Sequence, residues 1–420
     1  METEDYFLTN SIAEVIIHIE KLPVNGQNYP TSYVLKSDKF LITGRAQVLL
    51  TRAFSKLQNL RTIGVRDYNA RGRRRDGEDA SWRSYGWSSN PPDKRFRYHT
   101  DMEPILPLLL YAFGEASTGP ERIEMFLRHN PVPDGSFDLS PSFMQSEVVP
   151  VLANLKALLL SLDGRVDHYS VAWSDPSNPD SGFRSLRRFL QHTPLLEHIR
   201  LNFKHNELSE KYTDALLAWL ATSSGPDVNA TPTPVQLDHL TTLELGMVNI
   251  VPQTLIGLVS KFTKLEAVSL WKVAARGDAG EMKFDSETTW SHCLRKIGQA
   301  FHAPENVKAF MIGWAAEGSV LHRPDPVRFA GKINVDGNGQ KTFEDVENVV
   351  SYRKEVGSNV RTWLDELAEK AFLEKPIESS DSSDDDGDED NDDDGTPDDG
   401  SEDENIDDDA SVDTEGAAEE

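Results

Sequence analysis

The sequence predicts an α/β fold: an irregular solenoid with parallel strands on its inner face, helices outside, and a disordered acidic C-terminal tail. Three observations predict it. Six segments share one nine-residue frame, helical stripes lie between several of them, and acidic residues crowd into the last part of the chain. A recurring strand-plus-turn unit implies stacked repeats rather than a chain wrapped around one cleft.

The frame reads apolar, two variable, Leu, two variable, apolar, one variable, apolar. It fits residues 57–65, 152–160, 237–245 and 262–270, and residues 193–201 with Thr193 as a stray in the opening slot. Residues 303–312 follow it with Ala303 opening, Val307 in the Leu slot, and Phe310 and Ile312 closing. The closing triplet alternates as a strand does, so its two apolar residues point into the core. The Leu three positions earlier enters through the turn.

Helices cover the returning segments. From Ser286, Trp290, Leu294, Ile297 and Phe301 form one stripe, with Asp285 or Ser286 as N-cap. From Ser358, Val360, Leu364, Leu367 and Ala371 repeat the pattern, and Leu208, Tyr212, Ala215, Leu216 and Trp219 make a third. Strand, helix and strand in one direction give a parallel sheet.

Between the key positions the spacings are 95, 41, 44, 25 and 42 residues. Twenty-five is an ordinary leucine-rich-repeat period, and the longer gaps call for inserted loops or long helices. The gap of 95 has room for two degenerate units, one through 104–113 and one near 123–127. Residues 14–22 alternate like a first strand. Two stretches read as exposed loops, 66–98, rich in Arg, Gly, Ser and Trp, and 223–234, rich in Ser, Gly, Pro and Thr.

The net charge of −27 averages two different objects. Residues 376–420 hold 23 acids and no Lys or Arg, which leaves 47 acids against 43 bases in residues 1–375. With Ile377, Ile406 and Val412 as its only large apolar residues, the tail cannot bury enough surface to offset chain entropy. The expected domains are therefore a solenoid over 1–375 and a disordered tail over 376–420. Cys293 is the single cysteine, which fits a reducing compartment. The acidic N-terminus has no signal-peptide pattern. The apolar run 105–113 is about half a membrane span. A cytoplasmic or nuclear protein is expected, with no membrane partner.

Local chemistry is sparse. Residues 334–345 imitate a calcium loop at Asn334, Asp336, Asn338 and Gly339. The frame then fails at Lys341 and Asp345, and a tight turn explains the residues as well. Arg71, Arg73, Arg74 and Arg75 near Trp82, Tyr85 and Trp87 imitate a nucleic-acid patch, but the cluster is short and residues 1–375 are slightly acidic as a whole. No metal-ligand spacing, nucleophile elbow or phosphate loop occurs, so neither a metal, a cofactor nor an enzyme is expected. Ser382, Ser383, Thr396 and Ser401 each have an acid three residues on, the spacing that acidophilic kinases favour.

With its frames and intervening helices, the chain resembles the leucine-rich-repeat region of F-box proteins, and in particular the fungal F-box-like group. Residues 49–87 carry the likeness: a strand reading NLRTIGVRD, then a long Arg-, Gly- and Trp-bearing loop. The resemblance implies a substrate receptor of a cullin-type ubiquitin ligase, with the ligase adaptor as a second partner. The family's opening helical motif is not visible here. Leu22-Pro23 leads into VNGQNYPTSYVLKSD, which has Gly26, Pro30 and no helical stripe. The acidic tail also resembles that of acidic leucine-rich nuclear phosphoproteins, which implies histones or other basic proteins as partners.

The sheet residues that do not enter the core are the expected partner surface on the concave face. In frame they are Gly64 and Arg66, Arg200 and Asn202, Glu244 and Gly246, Ser269 and Trp271, and Met311 and Gly313. Arg66, Arg200, Asn202, Glu244, Trp271 and neighbouring Trp314 are the candidate contacts, because Arg and Trp dominate interface energetics. Packing of Trp271 and Trp314 under flanking loops is the alternative.

Overall fold

The computed structural model describes residues 14–18, 44–66, 103–127, 131–139, 142–163, 182–204, 210–223, 232–276, 288–318, 324–335 and 341–374. The chain divides into two units, Met1–Lys375 and Pro376–Glu420. The second, with Ser382, Ser383, Thr396 and Ser401, lies outside the described residues. So do Arg71 to Trp87 and most of 223–234.

A mixed α/β architecture results, with one sheet of mostly parallel strands. Strand and helix alternate from the start: β1 (Glu14–His18), α1 (Arg45–Phe54), β2 (Thr62–Arg66), α2 (Ile105–Glu115), β3 (Arg122–Phe126), α3 (Ser142–Ala153), β4 (Ala157–Asp163), α4 (Arg184–Gln191) and β5 (His198–Lys204). The alternation continues through α5 (Glu210–Ala221), β6 (Thr242–Ile250), α6 (Pro252–Lys261), β7 (Ala267–Ala275), α7 (Thr289–Ala300) and β8 (Ala309–Gly313). Strands β1 to β8 pair in chain order, each parallel to the next, and among the described residues each crossover carries one α-helix.

The nine-residue frame has a backbone counterpart. In all six segments the key Leu or Val amide donates to the carbonyl three residues earlier, from Leu60 to Leu57 through Leu265 to Phe262. Val307 donates to Pro304, so Pro304, not Ala303, opens the sixth frame. The residue after the key position then ties each unit to its predecessor: Lys156 N–H donates to Glu121, Glu197 to Lys156, Thr241 to Glu197, Glu266 to Thr241 and Lys308 to Glu266. Leu60, Leu155, Leu196, Leu240, Leu265 and Val307 are all buried. Each such side chain contributes roughly 1.5–3 kcal/mol of transfer free energy.

Register follows the frame. Ile63, Ile123, Leu158, Ile199, Leu243, Val268 and Phe310 form one row across the sheet, and Val65, Met125, Leu160, Leu201, Leu245, Leu270 and Ile312 the next. Both rows belong to one continuous apolar core shared with the helices. Strand β3 supplies one member of each row although its Leu slot holds Pro120. The gap between 57–65 and 152–160 thus contains, among the described residues, one strand and not two, because 104–113 forms helix α2.

Three adjacent strands share a kink. Met247, Lys272 and Trp314 have φ of 53°, 52° and 55°, the left-handed region that costs a non-glycine residue about 1–2 kcal/mol. Met247 lies opposite Lys272, between the pairs Gly246–Trp271 and Val248–Val273. Trp314 continues the line, between Trp271–Gly313 and Ala274–Ala316. The kink shifts the alternation by one residue, so Val248, Val273 and Ala315 enter the core that Leu245, Leu270 and Ile312 also occupy.

Short strand β9 (Ala316–Glu317) runs parallel to β7, and antiparallel strands then finish the sheet. These are β10 (Asp325–Val335), β11 (Lys341–Glu347), β12 (Val349–Arg353) and, after α8 (Val360–Lys370), β13 (Ala371–Leu373). Strand β12 pairs with β8, and β10 with β9, β11 and β13. Thr288 caps α7 by accepting from Ser291 N–H, two residues beyond the expected Ser286, and Asn359 caps α8.

Candidate interaction surface

On the face opposite the core rows, the intervening residues also align. Arg122, Ala157, His198, Thr242, Ala267 and Ala309 form one row, and Glu124, Leu159, Arg200, Glu244, Ser269 and Met311 another. Phe126, Ala157 and Leu159 make a small apolar cluster there, separate from the main core.

The part built on β2 to β6 is ionic. Glu124 accepts from Arg66 Nη2 at 3.1 Å and from Arg122 Nε at 2.6 Å. Glu244 accepts from Arg200 Nε at 2.8 Å, and its other oxygen lies 2.6 Å from His198 Nε2. The Phe126 ring lies between the two groups, with the guanidinium of Arg66 5.7 Å and that of Arg200 5.4 Å from its centroid. Such charge-assisted bonds and stacked guanidinium groups hold side chains in fixed positions. Both carboxylates are engaged by two cationic or imidazole groups, an arrangement suited to recognition and support.

The part built on β7 to β12 is apolar and more open. The Trp271 ring lies against Gly313, where a Cβ would stand 2.3 Å from it. Val349 pairs with Gly313 and is 37% exposed, and Ser351 and Arg353 on the same side of β12 are exposed. Beside them Trp314 is 45% exposed. Its amide donates to Asn348, and the Arg328 guanidinium, itself paired with Glu374, sits 5.7 Å from its ring centroid. Lys272, next in the kink row, is half-buried, and burial pushes its ammonium pKa down.

Arg66, Arg200, Asn202, Glu244 and Trp271 all lie on this face and are each less than a tenth exposed; Trp314 is the exposed member of the six. Sequence reasoning overlooked Arg122, Glu124, Phe126 and His198. The degenerate unit expected near 123–127 is β3, but with Pro120 in its Leu slot the unit lacks the full frame, and its outward residues were not placed on the surface. The kink was legible in principle, since apolar Val248, Val273 and Ala315 all fall three residues after the last residue of their triplet.

Among the described residues no group of His, Cys, Asp and Glu is arranged to hold a metal ion. Asn334 and Lys341 flank the calcium-like segment on antiparallel strands β10 and β11, and Asp345 lies inside β11, so the helix-loop-helix frame is not formed. No described helix is long and apolar enough to cross a membrane. No protein-family model matches the chain, and no curated protein matches it.

Proposed function

We propose that the chain is a protein-binding scaffold or substrate receptor, its units stacked as an irregular leucine-rich-repeat-like solenoid, and that the face opposite the core rows is its recognition surface. The observation that carries this reading is Trp314. A large aromatic residue stands nearly half exposed in a left-handed backbone, backed by Arg328 and beside exposed Val349. Strained, exposed aromatic residues on a rigid sheet suit an anchor role. Arg122, His198, Met311, Ser351 and Arg353 extend the contact surface, and the buried Arg66, Arg200, Asn202, Glu244 and Trp271 support it. Coupling to a cullin-type ligase rests on the resemblance to F-box-like proteins alone.

Tagged full-length protein purified from its own cells, beside Trp314→Glu and Val349→Glu variants, tests the reading. A stoichiometric partner lost from both variants supports it; identical partner sets for all three overturn it. Ligase adaptor peptides in the wild-type sample support receptor coupling. The 23 acids of 376–420 favour a second reading, binding of basic proteins through the tail. A chain ending at Lys375 then releases histones or other basic proteins at moderate salt, and undiminished capture refutes that reading. A fluorescent fusion checks the cytoplasmic or nuclear location that both readings require.

A further inference from the structure

Helix α1 opens the described row of helices. Phe54 stacks on Phe113 of α2 at 4.0 Å between centroids, and Thr51 donates to Glu115 of the same helix. Ala46 and Phe54 are buried, and Leu50 packs against the core. These contacts fix the orientation of α1, and they leave Arg45, Val48, Leu49, Arg52 and Ala53 together on the outward flank, with Lys56 in the following turn. All six are exposed, Val48 by 64% and Leu49 by 49%. In the described helix row, α2 packs against a helix on either side, whereas α1 has α2 on one side alone.

The flank is apolar at its centre and cationic at both ends. α1 contains no acidic residue, and among the described residues no carboxylate pairs with Arg45, Arg52 or Lys56. We propose that this flank docks an acidic amphipathic helix of a partner protein, which would continue the helix row. Two apolar side chains flanked by cations match a helix bearing apolar residues flanked by Glu or Asp at helical spacing. A second copy of this chain fits poorly, because like cations would face each other across the interface. Two large apolar residues are also few for a membrane-surface helix, which needs a broad apolar face. This site does not depend on the recognition surface around Trp314.

The test uses full-length protein and three probes: a fluorescein-labelled amphipathic peptide of Leu, Ala and Glu, its Lys-for-Glu counterpart, and vesicles of phosphatidylserine and phosphatidylcholine. Anisotropy is read at about 0.1 M salt, where surface charges still act over roughly 10 Å. The Glu peptide binds wild type, and the Lys peptide does not. Val48→Ser with Leu49→Ser, and separately Arg45→Glu with Arg52→Glu, each weaken binding by about tenfold or more, equivalent to about 1.4 kcal/mol. The substituted residues are exposed, and protection of the Cys293 thiol verifies that each variant is folded. The proposal is overturned by absent Glu-peptide binding, by equal binding of the Lys peptide, by affinity unchanged in both double variants, or by vesicle binding without peptide binding.

Discussion

Cys293 lies on the core side of α7, and two effects act on its thiol. Burial, and secondly the charge of Glu317, push its pKa up to about 12. A thiolate is the reactive species, so the native thiol should resist alkylating reagents at pH 8 and react only when the chain opens. The labelling rate should therefore track the global unfolding equilibrium across a urea series; rapid labelling of folded protein would contradict the burial. A folded pKa raised above the ordinary value also has a pH consequence. This contribution to stability is complete below about pH 9 and falls as pH rises toward 12.

Glu244 gives a second test at this scale. It holds both Arg200 and His198, and Arg200 is buried. Glu244→Ala leaves a buried guanidinium without its carboxylate and should cost about 3–5 kcal/mol in urea unfolding. Arg200→Met combined with Glu244→Leu should recover most of that loss, because the cost lies in the orphaned charge. A double variant as unstable as the single one would show that the pair has another role.

Among the elements, α4 has no cap of its own. Its N-cap position holds Phe183 at φ 54°, and the carboxylate of Asp134, fifty residues away, accepts from Ser185 and Leu186 N–H at 3.1 and 2.9 Å. Asp134→Ala leaves two amide donors unmet and should cost about 1–3 kcal/mol. Burial raises the Asp134 pKa, although the two amides and Arg187 oppose it. Its folded pKa thus exceeds its unfolded one, so its contribution is complete at low pH and is lost as pH rises through the folded value. Relative to Asp134→Asn, wild type should lose stability as pH climbs above about 4; parallel pH profiles for the two would refute this assignment.

Strand register is the other decision at the scale of elements. Leu243 stands fully buried between Ile199 and Val268. Leu243→Asp places an unpaired carboxylate inside that row and should lower stability by several kcal/mol. A chain melting at the wild-type temperature would mean that the rows are misassigned. The two rows were legible because every frame ends in the same apolar–variable–apolar triplet, and side-chain alternation fixes register wherever one face is buried. The kink at Met247, Lys272 and Trp314 has no signature in those residues themselves, since left-handed backbone at non-glycine positions favours no one residue type; its trace is the apolar spacing of Val248, Val273 and Ala315.

For the whole molecule, the division at Lys375 gives a further expectation. A chain ending at Lys375 should unfold with the same stability in urea as the full chain within about 0.5 kcal/mol, since an acidic tail with Ile377, Ile406 and Val412 as its only large apolar residues has little to bury. A large shift would assign the tail a part in the fold. Short-range pattern alone determined the mixed α/β class, the sequential parallel strands and the core rows, since periodicity and turn spacing are written into neighbouring residues. Which charged residues would be buried was a tertiary decision. Arg66 and Arg200 flank a phenylalanine from another strand, and they meet Glu124 and Glu244, respectively, across one strand boundary. Solvent exposure of a sheet residue depends on what the neighbouring strands place beside it, and no local window of sequence contains those neighbours.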